Sequence, residues 1–182
     1  MDELGNALLR HARAAIAEAL GEPAPAAPDL AALHEPGATF VTLTQGGELR
    51  GCIGSLEAHR PLLDDVRANA RAAALRDPRF PPLVASELAR TRVEVSLLTP
   101  TEPLPVASEA DACRQLRPGV DGVILTAGGR RATFLPQVWE QLPEPADFLA
   151  RLRQKAGLPA NYWGADVRLA RYAVRKWKED PC

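Results

Sequence analysis

Two Gly-Gly pairs, each set between short alternating runs, constrain the fold of this chain more than any other feature. Ala38 to Thr44 alternates apolar and small polar residues, and Gly46-Gly47 then supplies the two positive-φ positions of a tight hairpin turn. Glu48 to Ile53 is the return strand. Val120 to Thr126 and Ala132 to Leu135 flank Ala127-Gly128-Gly129-Arg130 in the same way, which predicts a second hairpin. Gly128-Gly129-Arg130-Arg131 is not a phosphate cradle, because it has neither a strand-loop-helix setting nor a GK[ST] ending. Arg92 to Leu98 places Val93, Val95 and Leu97 on one face and Arg92, Glu94 and Ser96 on the other, a half-buried strand. Val167 to Trp177 reads as one further strand.

The remaining periodic segments are helical. Leu4, Leu8, Ile16 and Leu20 share a stripe with Ala12 and Ala15, and Gly21 ends it. Pro61 to Leu75 has Pro61 in its first turn and Leu62, Val66 and Ala70 on one face. Asp64 and Asp65 sit where the helix dipole favours negative charge. Ser108 starts a short helix to Leu116, and Pro136 to Leu142 and Ala146 to Ala156 follow. Between helix and strand, Asp77-Pro78-Arg79-Phe80-Pro81-Pro82 is a stiff loop, since three prolines remove donors and fix φ. Antiparallel hairpins separated by helices predict an α+β fold rather than a wound parallel sheet.

Composition narrows the function classes. The 182 residues fit one domain, or one core with a subsidiary lobe. Twenty-two basic residues against twenty-three acidic ones leave a net charge of -1, so no electrostatic footprint for nucleic acid or an anionic membrane is expected. No apolar run is long enough for a membrane span, and the start is acidic rather than signal-like. The three cysteines, Cys52, Cys113 and Cys182, form no CxxC pair, which predicts a reducing, cytoplasmic setting and no structural zinc. Without HExxH or paired histidines, no metal site is expected, and no cofactor is indicated.

Chemistry concentrates in Leu49-Arg50-Gly51-Cys52-Ile53-Gly54-Ser55. Gly51 and Gly54 let the backbone turn or approach another group closely, and Arg50 stands ready to favour a thiolate. The motif reads as a reactive or ligand-gripping turn at the far end of the first hairpin. The alternative is an inert, packed cysteine. His59 follows seven residues later, and Glu94 occupies the polar face of its strand. Arg50 and Arg79 together have the chemistry to clamp a carboxylate or phosphate.

These motifs taken in order resemble the AMMECR domain family, whose bacterial members are the A component of the AmmeMemoRadiSam system. The resemblance is carried by Leu49 to Gly54, Arg60-Pro61-Leu62, Asn69-Ala70, Asp77 to Pro82 and Val93-Glu94-Val95-Ser96. It continues through Leu116 to Gly122, Ala132 to Trp139 and Lys155-Ala156-Gly157-Leu158-Pro159, so it spans about Phe40 to Trp177. It implies a single AMMECR-like domain over residues 1–182, with a mostly antiparallel sheet flanked by helices and a larger and a smaller lobe. The family has no established reaction. Its prokaryotic genes often stand beside those of a Memo-like protein and a radical SAM enzyme, which implies partners of those kinds. Carried over by position, the functional candidates are Arg50, Cys52, His59, Arg79 and Glu94. Two readings follow. In the first, Cys52 is a thiolate nucleophile in a redox or modification pathway, His59 or Glu94 moves the proton, and Arg50 stabilises developing charge. In the second, Gly51, Gly54 and the Arg79 loop form the docking face of a non-catalytic binding or scaffold module.

Overall fold

The computed structural model describes residues 1–180, so Cys182 lies outside the described residues. Its strands are β1 (Ala38–Gln45), β2 (Glu48–Gly54), β3 (Thr91–Leu98), β4 (Glu102–Leu104), β5 (Gly122–Ala127), β6 (Arg130–Phe134), β7 (Arg168–Tyr172) and β8 (Val174–Lys178). Its α-helices are α1 (Glu3–Ala19), α2 (Leu62–Leu75), α3 (Glu109–Gln115) and α4 (Pro145–Lys155). Short 3-10 helices occupy Ala31–His34, Ala85–Arg90 and Pro136–Glu140. The architecture is α+β, with two four-stranded sheets of order β2-β1-β3-β8 and β4-β7-β5-β6. Among the described residues, no helix is long and apolar enough to cross a membrane.

The chain divides into two compact units, Met1–Leu98 with the segment from Arg175, and Thr99–Val174. In the first, alternation along β1 and β3 buries Val41, Leu43, Val93 and Val95 against α1 and α2, which supply Leu8, Ile16, Val66 and Ala70. Burying each Val or Leu side chain is worth roughly 1.5–3 kcal/mol, so these side chains set which sheet face carries the helices. Asp2 caps α1, its carboxylate accepting the Gly5 amide at 2.8 Å. The β1–β2 hairpin turns at Gly46 and Gly47, whose φ angles are +58° and +86°. Trp177 of β8 lies against Gly5, where a Cβ would stand 2.3 Å from the indole.

The second unit encloses its own core. Trp139 stacks on Phe148 with ring centroids 3.8 Å apart, and its indole N–H donates to the Asp121 carbonyl at 2.7 Å. Buried Asp121 accepts the Arg117 amide at 2.8 Å and the Arg117 Nη2 at 2.7 Å, tying together the ends of the Leu116–Gly122 motif. Fully buried Arg153 of α4 reaches Glu109 of α3 at 2.8 Å.

Both predicted hairpins and the Arg92–Leu98 strand form, with ends shifted by a residue or two. The last strand differs. Val167 to Trp177 is not continuous: β7 pairs with β4 and β5, whereas β8 lies beside β3 in the other sheet. The break is at Ala173, whose amide donates to Thr99 Oγ1 at 2.8 Å while its carbonyl accepts the Thr99 amide at 2.9 Å. Strand-like alternation continues through such a break, because it records facing side chains and not which sheet receives them. Within Pro136 to Leu142 the helix that forms is a 3-10 helix of five residues, Pro136–Glu140.

Candidate functional site

Cys52 lies within β2, an extended edge strand, and not in a turn. Neither Gly51 nor Gly54 has a positive φ; each removes a Cβ for steric reasons. At Gly51 a Cβ would stand 2.2 Å from the Ala73 carbonyl oxygen, so α2 packs directly on the strand backbone. At Gly54 it would meet the Phe40 ring at 2.2 Å. Cys52 is thus carried on a strand pressed onto a helix.

Cys52 pairs with Thr42 of β1, and the Cys52 Sγ lies 3.3 Å from the Thr42 Oγ1. The backbone of Cys52 faces outward, away from β1. Its amide donates to Asp77 Oδ2 at 2.9 Å, and its carbonyl accepts Arg79 Nη2 at 3.4 Å. Outward groups of this kind would otherwise leave an edge strand open to pairing with another chain. Asp77 also accepts Arg79 Nε at 2.9 Å, Arg79 Nη2 at 2.7 Å and the Arg79 amide at 3.1 Å. The Arg79 side chain holds the Asp77 carboxyl well below the ordinary carboxylate range; burial opposes this, and the Cys52 and Arg79 amides reinforce it. Asp77 is 2% exposed and Arg79 53%, so the carboxylate is an internal brace while the guanidinium reaches the surface. There it lies 5.5 Å from the centre of the Phe80 ring.

The other predicted site residues take different places. A bulge falls between Leu43 and Thr44, where Leu43 pairs with Gly51 but Thr44 with Leu49, leaving Arg50 as the extra residue. Its guanidinium meets Glu87 in a two-pronged ion pair, Nε to Oε1 at 3.2 Å and Nη2 to Oε2 at 3.0 Å. Glu87 is pulled down to about 2, first by Arg50, with help from the Val84 amide and Gln45 against the opposing effect of burial. Arg50 is therefore a structural partner. Glu94 shares the sheet face of Cys52 and pairs with Thr42 across β1. Two strand spacings put its Cα about 10 Å from that of Cys52. Its carboxylate is held from β8 by Lys176 at 3.2 Å and Lys178 at 2.9 Å. His59 is exposed in the loop before α2, with Nδ1 3.0 Å from the Glu57 carbonyl. The fold thus gathers Cys52, Gly51, Gly54 and Arg79, sets Glu94 one strand beyond Thr42, and leaves Arg50 and His59 to other contacts.

Two anchoring acids escape a sequence reading. Asp77 is one. Asp65 is the other, fully buried and accepting from Thr39 N at 2.8 Å, Thr39 Oγ1 at 2.7 Å, Ser55 Oγ at 2.6 Å, Arg60 Nε at 2.9 Å and Asn69 Nδ2 at 2.9 Å. It fastens α2 to the start of β1 and the end of β2. The only sequence signal was its i,i+4 spacing from Asn69, which puts both on the same side of α2. Among the described residues, no group of three or more His, Cys, Asp or Glu side chains is placed to hold a metal ion.

Comparison with known proteins places the chain among relatives. The AMMECR1 family model matches residues 9–177. A protein from Methanothermobacter thermautotrophicus is 45% identical over 143 residues, covering 78% of this chain and 74% of the relative. One from Thermococcus gammatolerans is 36% identical over 196 residues, covering 98% and 92%. The crystal structure of an uncharacterized protein from Pyrococcus horikoshii superposes with a TM-score of 0.84 at 34% identity, covering 99% of this chain and 93% of that one. The chain belongs to the AMMECR1 family.

Proposed function

We propose that this protein is a cytosolic binding component of a redox or modification pathway shared with Memo-like and radical SAM proteins. Its Cys52 face holds a partner's segment and does not carry out nucleophilic attack. The environment of the sulfur carries this reading: its side-chain partner is the Thr42 hydroxyl, not a base. A cysteine nucleophile draws its reactivity from a neighbouring base or cation. Glu87 engages Arg50, Asp77 engages the Arg79 beside Cys52, the two lysines engage Glu94, and His59 sits in a separate loop. The braced strand edge and the proline-stiffened loop present Arg79 against Phe80, and arginine and aromatic side chains are the types that dominate binding hot spots.

The test is capture of purified Memo-like and radical SAM proteins from the same organism. Cys52→Ala should bind as the parent chain does. Arg79→Glu, and the milder Arg79→Ala, should weaken capture by roughly tenfold or more while melting as a folded protein. Capture lost in Cys52→Ala and retained in both Arg79 variants would overturn the proposal.

A further inference from the structure

A groove of about 700 Å³ opens at the Gly46-Gly47 end of the first unit, with Thr44, Arg90, Arg92, Glu94, Lys178 and Glu179 among its lining residues. Neither Cys52 nor Arg79 lines it, so it is separate from the face described above. The volume falls in the range of small-molecule sites. Its charges are unevenly matched. Glu179 is held by Arg13, through Nε to Oε1 at 2.8 Å and a second contact from Nη2, and it also accepts the Val93 amide at 2.9 Å. Glu94 lies between Lys176 and Lys178. Arg90 reaches Glu87 at 3.6 Å but is 67% exposed. Arg92 differs from all of these. It is half-buried, and among the described residues its guanidinium has no ion pair or side-chain hydrogen bond.

A half-buried guanidinium has lost part of its hydration without gaining a counter-charge, an arrangement that an incoming anion would relieve. Its planar fork matches the paired oxygens of a carboxylate or phosphate. The carboxylates around it are already paired, Glu179 with Arg13 and Glu94 with Lys176 and Lys178, two cations on one acid, and exposed Arg90 adds positive charge at the rim. We propose that this groove binds the oxyanion group of a small molecule, phosphate or carboxylate, with Arg92 as its principal contact.

Inorganic phosphate and citrate are the probes, titrated into the folded protein while the Arg92 Nε–H and the Gly46 and Gly47 amide signals are followed by NMR. At least one probe should give a saturable shift of all three reporters at millimolar concentration. Saturation by phosphate alone assigns a phosphorylated ligand, and saturation by citrate alone a carboxylate; either supports the site. Arg92→Gln, followed through the glycine amides, should weaken binding by roughly tenfold or more. Arg90→Gln and Lys178→Gln, at exposed positions that leave the fold undisturbed, should weaken it severalfold. Arg79→Ala should bind as the parent does, which separates this site from the Cys52 face. A response that only tracks ionic strength, or saturable binding unchanged in Arg92→Gln, would overturn the proposal.

Discussion

Gly51 and Gly54 flank Cys52 for different steric reasons, and the difference is measurable. The obstacle at Gly51 is the Ala73 backbone carbonyl, which can move only with α2; at Gly54 it is the Phe40 ring, which can turn aside. Gly51→Ala should therefore cost about 3 kcal/mol or more by urea unfolding, and Gly54→Ala distinctly less. Glu87 offers a pH test. Its folded value of about 2 lies below the ordinary 4.5, so its contribution to stability is complete above pH 4.5 and disappears as the pH falls towards 2. Glu87→Gln should lose roughly 2 kcal/mol at pH 7, and the gap to the parent should narrow between pH 4.5 and 2.5 in thermal melts. At this scale the sequence was legible in kind but not in pairing. Cys52 and the two glycines share one strand, and Arg79 joins them because α2, packed on that strand at Ala73, returns the chain to its edge. The engagement of Arg50 by Glu87 depends on a bulge and a 3-10 helix that leave no periodic signal.

Among the elements, the seam between α2 and the β1–β2 hairpin depends on one buried carboxylate. Asp65 receives five donors, and its removal would take this acceptor from Thr39, Ser55 and Arg60, while Asn69 would keep the Thr39 carbonyl at 3.0 Å. Asp65→Ala should cost roughly 3–5 kcal/mol in chemical denaturation, the scale of breaking a buried charge pair. Helices and hairpins were readable because their periods differ, at 3.6 and 2 residues, and because Gly21 and the Gly-Gly turns mark their ends. Asp65 was not readable as an anchor, because an acid in the first turn of a helix has a sufficient local reason to be there. The three-residue β4 is shorter than any alternation that could announce it.

For the whole molecule, family membership accounts for the order of the motifs, and the structure assigns most of them anchoring work. Asp77 braces the Cys52 strand, Asp121 binds Arg117, and Tyr172 occupies the space a Cβ on Gly122 would fill. Each unit carries its own sheet and its own core, and one alternating segment, 167–177, serves both sheets, which its sequence reads as a single strand. The Cys52 sulfur is half-buried on its strand, and the proposed binding role makes it a packing residue rather than a nucleophile. Its most direct test is the iodoacetamide reaction of a chain carrying Cys113→Ser and Cys182→Ser, folded in buffer and unfolded in guanidinium at the same pH. The folded thiol should react severalfold more slowly than the unfolded one, because it is half-buried beside a hydroxyl. A folded thiol that reacts faster than the unfolded chain would contradict it.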